Sequence, residues 1–179
     1  MRNVGILSAI LAPLALVSSA GTGAAFSATP QVGGDLCTGG NTFGTGLRGA
    51  YYTADPKISK PVLVRVDARV SSAAVRSLPR ATTAPNLVRW CGWIRPVASG
   101  PHRLQLAGQA ARIELAKQSV LPGASVQLEA GKAYAILIEL KDPAKAGDFS
   151  LQWTPPFGAT YDVPPTVLFP PVETVQPGC

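Results

Sequence analysis

The chain has 179 residues, with 16 lysines and arginines against 10 aspartates and glutamates, a formal charge of +6. Its 18 glycines and 17 prolines are many, yet short of the share that marks a disordered chain, so the composition suits many turns and few helices. Behind an amino-terminal leader about 150 residues remain, the size of one domain with its own core, which argues against several domains.

Residues 1–25 read as a secretory signal peptide. Arg2 is followed by an apolar run from Val4 to Val17 and then by small residues, in the order such leaders take. The run is interrupted by Pro13 and falls short of the roughly 20 residues of a membrane span. Ser18-x-Ala20 and Gly23-x-Ala25 both suit a signal peptidase, and an uncleaved anchor is the alternative. No cysteine stands just after the run to make a lipoprotein, and no later segment is apolar enough to cross a bilayer. Removing Arg2 with the leader leaves 15 basic residues against 10 acidic, a charge of +5.

Residues 26–45 are rich in Gly and Thr and form an irregular lead-in; a domain over 46–172 and a tail over 173–179 follow. "LRGAYYTA" is strand-like. In "PVLVRVDARV" the valines Val62, Val64 and Val66 share one face and Arg65 and Asp67 the other, a half-buried strand with the valines as its apolar side. Val70 to Asn86 has room for one helical turn, limited by Pro79 and Pro85, and is otherwise loop. "NLVRWCGWIRP" is a strand closed by Pro96, and "SGP" turns the chain into "HRLQLA", where Leu104 and Leu106 oppose Arg103 and Gln105. "ARIEL", "SVQLEA", "AYAILIEL" and "FSLQW" continue the alternation, and the proline-rich end admits only an edge strand or extended packing. About eight short strands at this spacing predict an all-β antiparallel sandwich or barrel.

Candidate chemistry is sparse. Seven arginines and a single acid, Asp67, lie between Arg65 and Arg103. This suits either an anionic envelope polymer, held by an attraction that salt would screen, or a solvated strand face. No nucleic-acid motif appears. His102 is the lone histidine, no serine lies in a Gly-x-Ser-x-Gly setting, and the acids are solitary, with Glu114, Glu129 and Glu139 on solvated strand faces. The chain is therefore expected to be no enzyme and to need no cofactor. Trp90 and Trp153 read as core; Trp93 is open to either core or sugar stacking. Cys37, Cys91 and Cys179 allow three single disulfides, and without a C-x-x-C there is no support for zinc or thiol-redox chemistry.

Seven stretches in order, "GLRGAYY", "VRVDARV", "VRWCGWIRP", "SGPHRLQL", "LEAGKAYAILIEL", "FSLQW" and "VPPTVLFP", resemble the protective-antigen amino-terminal-type (PA fourteen) domain family over residues 46–170. Trp90, Gly92, Pro96 and Gly100 fall on its pattern. The resemblance implies an antiparallel two-sheet β-sandwich closing toward a barrel and an exported, periplasmic or extracellular protein. In the family's lectins, two adjacent aspartates after the "HRLQL"-type strand grip a calcium that holds sugar hydroxyls. The matching positions here are Gly108-Gln109-Ala110, and no acid lies between Leu104 and Ile113. Calcium wants six to eight oxygen ligands with carboxylates among them. The resemblance therefore implies a calcium-site-degenerate member, metal-free, whose candidate ligand-binding residues are Gln109, Arg103 and Arg112 around the loop, with Trp93. It also implies neighbouring termini. A Cys37–Cys179 bridge contributing ~2–4 kcal/mol would leave Cys91 unpaired, with Cys37–Cys91 as the rival. The function expected is a non-catalytic module for a glycan or anionic envelope polymer; the alternative is a structural subunit with a protein partner in an envelope assembly.

Overall fold

A computed structural model describes residues 26–27, 44–55 and 60–171. Two sheets face each other. The five-stranded sheet runs in the order β1 (Phe26–Ser27), β8 (Ser125–Leu128), β5 (Gly100–Ala107), β10 (Ser150–Thr154) and β11 (Tyr161–Asp162). The seven-stranded sheet runs β3 (Leu63–Asp67), β2 (Leu47–Tyr52), β4 (Leu87–Ile94), β9 (Tyr134–Lys141), β6 (Arg112–Leu115) and β7 (Gln118–Ser119). Its last member, β12 (Leu168–Phe169), pairs with β4 where β2 has ended. All ladders are antiparallel except β1 on β8. The architecture is the expected all-β two-sheet sandwich, and β1 is a short strand inside the stretch expected to be irregular. The one α-helix among the described residues, α1 (Ser72–Arg76), is a single turn, and a 3-10 turn spans Pro165–Val167.

Strand alternation decides what meets between the sheets. β4 and β9 stay in register for eight pairs, from Leu87↔Lys141 to Ile94↔Tyr134. Side chains two apart therefore share a face. Val88, Trp90 and Ile94 point inward with Ile136, Ile138 and Leu140, and meet Leu104, Leu106, Val126, Leu151 and Trp153 from the opposite sheet. Trp90 and Trp153 are buried core residues, as expected; each such ring stabilises by roughly 4–6 kcal/mol of transfer free energy before ordering entropy is subtracted.

The strand at 63–67 alternates as predicted, but its faces are reversed. Val62, Val64 and Val66 are 47%, 40% and 50% exposed, whereas Asp67 points between the sheets. The Asp67 carboxylate accepts hydrogen bonds from the Tyr51 hydroxyl at 2.5 Å, the Trp90 indole Nε1 at 2.8 Å and Arg65 Nε at 2.7 Å. Three donors offset the desolvation of a buried carboxylate, which apolar neighbours alone could not do. Gly49 makes the approach possible: a Cβ there would lie 2.4 Å from Asp67 Oδ2 and 3.2 Å from the Trp90 ring. Burial, and then the Asp67 carboxylate, push the Tyr51 phenol well above its usual range, so it remains a donor.

Candidate functional site

The outward side of the seven-stranded sheet carries a polar cleft of about 630 Å³, within the range of small-ligand sites. Its floor is set by register. Arg89 of β4 lies opposite Glu139 of β9, and Glu139 lies opposite Arg112 of β6, so three charged side chains form one row across three strands. Arg89 Nε donates to Glu139 Oε2 at 2.7 Å, and Arg112 donates to Glu114, two residues along its own strand. The Arg89 guanidinium lies 6.0 Å from the centre of the Tyr52 ring, within cation–π range. Asp55 with Ala54, and Lys141 with Asp142, form the walls.

Asn86 ties the strand ends together at the cleft. Its backbone N–H donates to Tyr52 O at 2.8 Å, its side-chain Nδ2 donates to Thr53 O at 2.7 Å, and its own carbonyl accepts from Asp142 N at 2.7 Å. Asp142 holds φ of 47°, a left-handed conformation that aspartate tolerates better than most residues. Three cations (Arg89, Arg112, Lys141) face three carboxylates (Asp55, Glu139, Asp142), so the cleft offers both donors and acceptors without a dominant charge. Among the described residues no three His, Cys, Asp or Glu side chains gather as metal ligands, and no helix is long and apolar enough to cross a membrane.

The residues singled out from sequence are dispersed. Arg112 lines the cleft. Arg103 lies on the opposite surface of the molecule, exposed on the outward side of the five-stranded sheet opposite Thr154. Gln109 is half-buried in the tight turn after β5, its N–H directed to Leu106 O at 3.3 Å. Gly108 in that turn has φ of 85°, and a Cβ there would lie 2.1 Å from Asp148 O, so the turn packs closely on the β9–β10 loop. That loop does bring a carboxylate, Asp148, but it is held by Arg76 Nη2 at 2.5 Å and Ser72 Oγ at 3.2 Å. The Arg76 guanidinium holds the Asp148 carboxyl below its usual range. Trp93 is 2% exposed, buried with Ala135 and Phe169, so its ring offers no stacking face to solvent.

His102 is buried beneath the five-stranded sheet, its ring centroid 5.4 Å from that of Trp153. Glu139 is a cleft-floor partner of Arg89 rather than a freely solvated strand residue. Cys91 is wholly buried and is not a free thiol, which corrects the unpaired Cys91 that the Cys37–Cys179 pairing implied; Cys37 and Cys179 lie outside the described residues. Asn86 and Asp142 were not singled out from sequence, Arg89 entered only as one of seven arginines, and Glu139 only as a solvated acid. The one available signal was that Arg89 interrupts an otherwise uncharged β4 and Glu139 the apolar run of β9 before its closing Lys141.

No family model and no curated protein sequence matches the chain. Solved structures do. An anti-sigma factor domain-containing protein from Clostridium clariflavum aligns at 25% identity and a TM-score of 0.56, over 73% of this chain and 49% of that one. The transport component C2-II of the C2-toxin from Clostridium botulinum aligns at 22% identity and 0.57, over 73% of this chain and 28% of that one. The PA14 domain of the MpAFP antifreeze protein aligns at 14% identity and 0.54, over 71% of this chain and 90% of that domain. The chain thus spans about half the length of the clostridial anti-sigma-factor-domain protein. The fold is a β-sandwich of the kind seen in the PA14 domain and in the toxin component.

Proposed function

We propose that the protein is an exported, non-catalytic binding module that takes a glycan in the cleft above β4, β9 and β6, without calcium. The observation that carries this reading is the charge-balanced row Arg89–Glu139–Arg112 beside Asn86. Planar guanidinium, carboxylate and amide groups present paired donors and acceptors, the chemistry that holds vicinal hydroxyls. The Gly108-Gln109-Ala110 turn adds only a neutral amide, which supports a mode independent of metal. The apolar leader supports export, and a disulfide at Cys91 belongs to the same reading, since bridges form in oxidising compartments. The lone histidine, buried against Trp153, supports a module that recognises rather than reacts.

A glycan array probed with the mature chain, with and without chelator, tests the reading. Binding is expected to survive chelation and to weaken about tenfold in Asn86→Ala and Arg112→Ala, the loss of one or two hydrogen bonds. An array without any bound glycan, or binding that both variants retain, counts against it. A salt series separates ligands: a hydroxyl-rich one stays bound, whereas an anionic polymer held by the arginines of 65–103 is released.

A second reading, a docking subunit with a protein partner in an envelope assembly, is favoured by one observation. Val62, just before β3, and Val64 and Val66 on it form an exposed apolar stripe along the end strand of its sheet. Co-purification of a partner that Val64→Glu abolishes would support this reading over the first.

A further inference from the structure

We propose that the solvent-facing side of the five-stranded sheet is a second binding surface, separate from the cleft, for an extended, uncharged, hydroxyl-rich polysaccharide chain. The cleft suits a chain end or short segment; this face suits a length of polymer.

The surface is built by pairing. Gln105 lies opposite Gln152, and Gln152 opposite Asp162, so β5, β10 and β11 contribute one cross-strand row. Arg103 and Thr154 form the next row, and Ala107 and Ser150 the row on the other side. These residues alternate with the inward-pointing Leu104, Leu106, Leu151 and Trp153 and so stand on the solvent side. Adjacent strands are about 4.8 Å apart, a spacing on the scale of one sugar ring.

The row is ordered before any ligand arrives. Ser150 Oγ donates to Asp162 Oδ1 at 2.8 Å, Gln152 Nε2 to the same oxygen at 3.1 Å, and Gln105 Nε2 to Gln152 Oε1 at 3.4 Å. Thr154 and Thr160 share a hydroxyl hydrogen bond at 2.7 Å. A primary amide carries two N–H donors and an acceptor oxygen with two lone pairs, so each glutamine keeps hydrogen-bonding capacity beyond its neighbour. Side chains already fixed lose less entropy when a ligand binds.

Charge selects the class of polymer. Arg103 and Asp162 are the charged residues among those that β5, β8, β10 and β11 turn outward, and they cancel, although the chain as a whole carries +6. An anionic polymer finds no positive field here, and an uncharged one loses nothing. The β10–β11 hairpin also supplies aromatic surface. Phe157 is 91% exposed, whereas Tyr161, opposite the inward-pointing Trp153, packs its ring edge-on against it and does not belong to this face. Phe157 follows Pro155-Pro156, and Pro156 packs within 3.0 Å of where a Cβ on Gly100 would be, so the loop is fixed against the start of β5. A ring presented this way can cover the apolar face of a sugar.

Affinity electrophoresis of the full chain through gels containing hydroxyethyl cellulose, dextran or xylan, with alginate as the anionic control, tests the proposal. Retardation is expected in at least one neutral polymer, unchanged at high salt. The Gln105→Ala/Gln152→Ala double variant should weaken it about tenfold. Phe157→Ala, in an exposed loop that leaves the fold intact, should weaken it severalfold. Lys132→Ala, in the exposed turn before β9 and part of neither surface, should leave it unchanged. Absence of retardation in all three neutral polymers overturns the proposal. So does full retardation of the double variant and of Phe157→Ala, each with unaltered melting. Failure of the cleft reading shows separately, on the glycan array.

Discussion

Asp67 and Glu139 each meet an arginine Nε at 2.7 Å, and both belong to the seven-stranded sheet, but on opposite sides of it. Asp67 faces inward with its side chain 3% exposed; Glu139 faces outward at 13%. The inward carboxylate is sealed among a phenol, an indole and a guanidinium that all donate to it. The outward one lies on a cleft floor between two guanidinium-bearing strands, where a ligand hydroxyl can share its lone pairs. A buried pair must be satisfied completely or it destabilises the fold, whereas a pair at the edge of water can exchange partners at little cost. On the proposed reading of the cleft, the two sites divide structure from recognition with the same chemistry.

The hardest blow to that division is Asp67→Ala. It strands the Tyr51 hydroxyl and the Trp90 N–H and takes the buried counter-charge from Arg65, which keeps its bonds to Ala74 O and Ser77, and should cost about 3–5 kcal/mol, a fall in melting temperature of roughly 10 °C. A loss of less than about 1 kcal/mol by chemical denaturation would mean that the inward pair is no more structural than the outward one. Gly49→Ala is the next test. Its new methyl would meet Asp67 Oδ2 and the Trp90 ring, for about 1–3 kcal/mol. In the Asp67→Ala background the obstructing oxygen is gone, so the same substitution should cost clearly less. A double-mutant cycle reads that coupling directly.

Glu139→Gln tests the other side of the comparison. The amide keeps the shape but loses the charge that pairs with Arg89. Stability should change by less than about 1 kcal/mol, while affinity for a glycan found on the array should drop about tenfold. A variant that melts far below the parent but binds normally would place Glu139 with Asp67, among the residues that hold the fold.

The difference between these two acids explains what was legible beforehand. Strands β4, β5, β6, β8, β9 and β10 could be read because apolar residues alternate in "HRLQL" and "FSLQW", and period two is local information. Which side of "PVLVRVDARV" faces the core could not be read that way. Alternation separates Val62, Val64 and Val66 from Arg65 and Asp67, but the donors that draw Asp67 inward are Tyr51 and Trp90, 16 and 23 residues distant. On an end strand, β-branched valines are tolerated outside, so propensity pointed the wrong way. The cleft residues other than Arg112 were hidden for a related reason. Asn86, Arg89, Arg112 and Glu139 meet only through the β4–β9–β6 ladders, and no spacing along the chain announces a cross-strand row. Trp93 was ambiguous because a tryptophan on a strand looks alike whether its outward side is covered or bare; here it is covered.

The smallest predicted effect concerns the five-stranded sheet, whose inward side also holds a titratable group. His102 is buried against Trp153, and Nδ1 lies 3.0 Å from Gly100 O. Burial lowers its pKa below the usual 6.5, and the Gly100 hydrogen bond opposes this only in part. In the unfolded chain the imidazole takes up its proton near 6.5, so between that pH and the lower folded value the unfolded state binds more protons. Stability from this group is fully present above 6.5 and is lost as the pH falls toward the folded value. Melting temperature followed from about pH 8 to pH 5 should therefore decline slightly, by less than Gly49→Ala costs. His102→Phe keeps a flat ring beside Trp153 and removes the proton site, so its curve should be flatter than the parent's over the same range. An identical decline in both proteins would assign the acid sensitivity to carboxylates instead. The outward pair Asp148–Arg76 is not among them in this range, since its lowered carboxyl pKa costs stability only at more acidic pH.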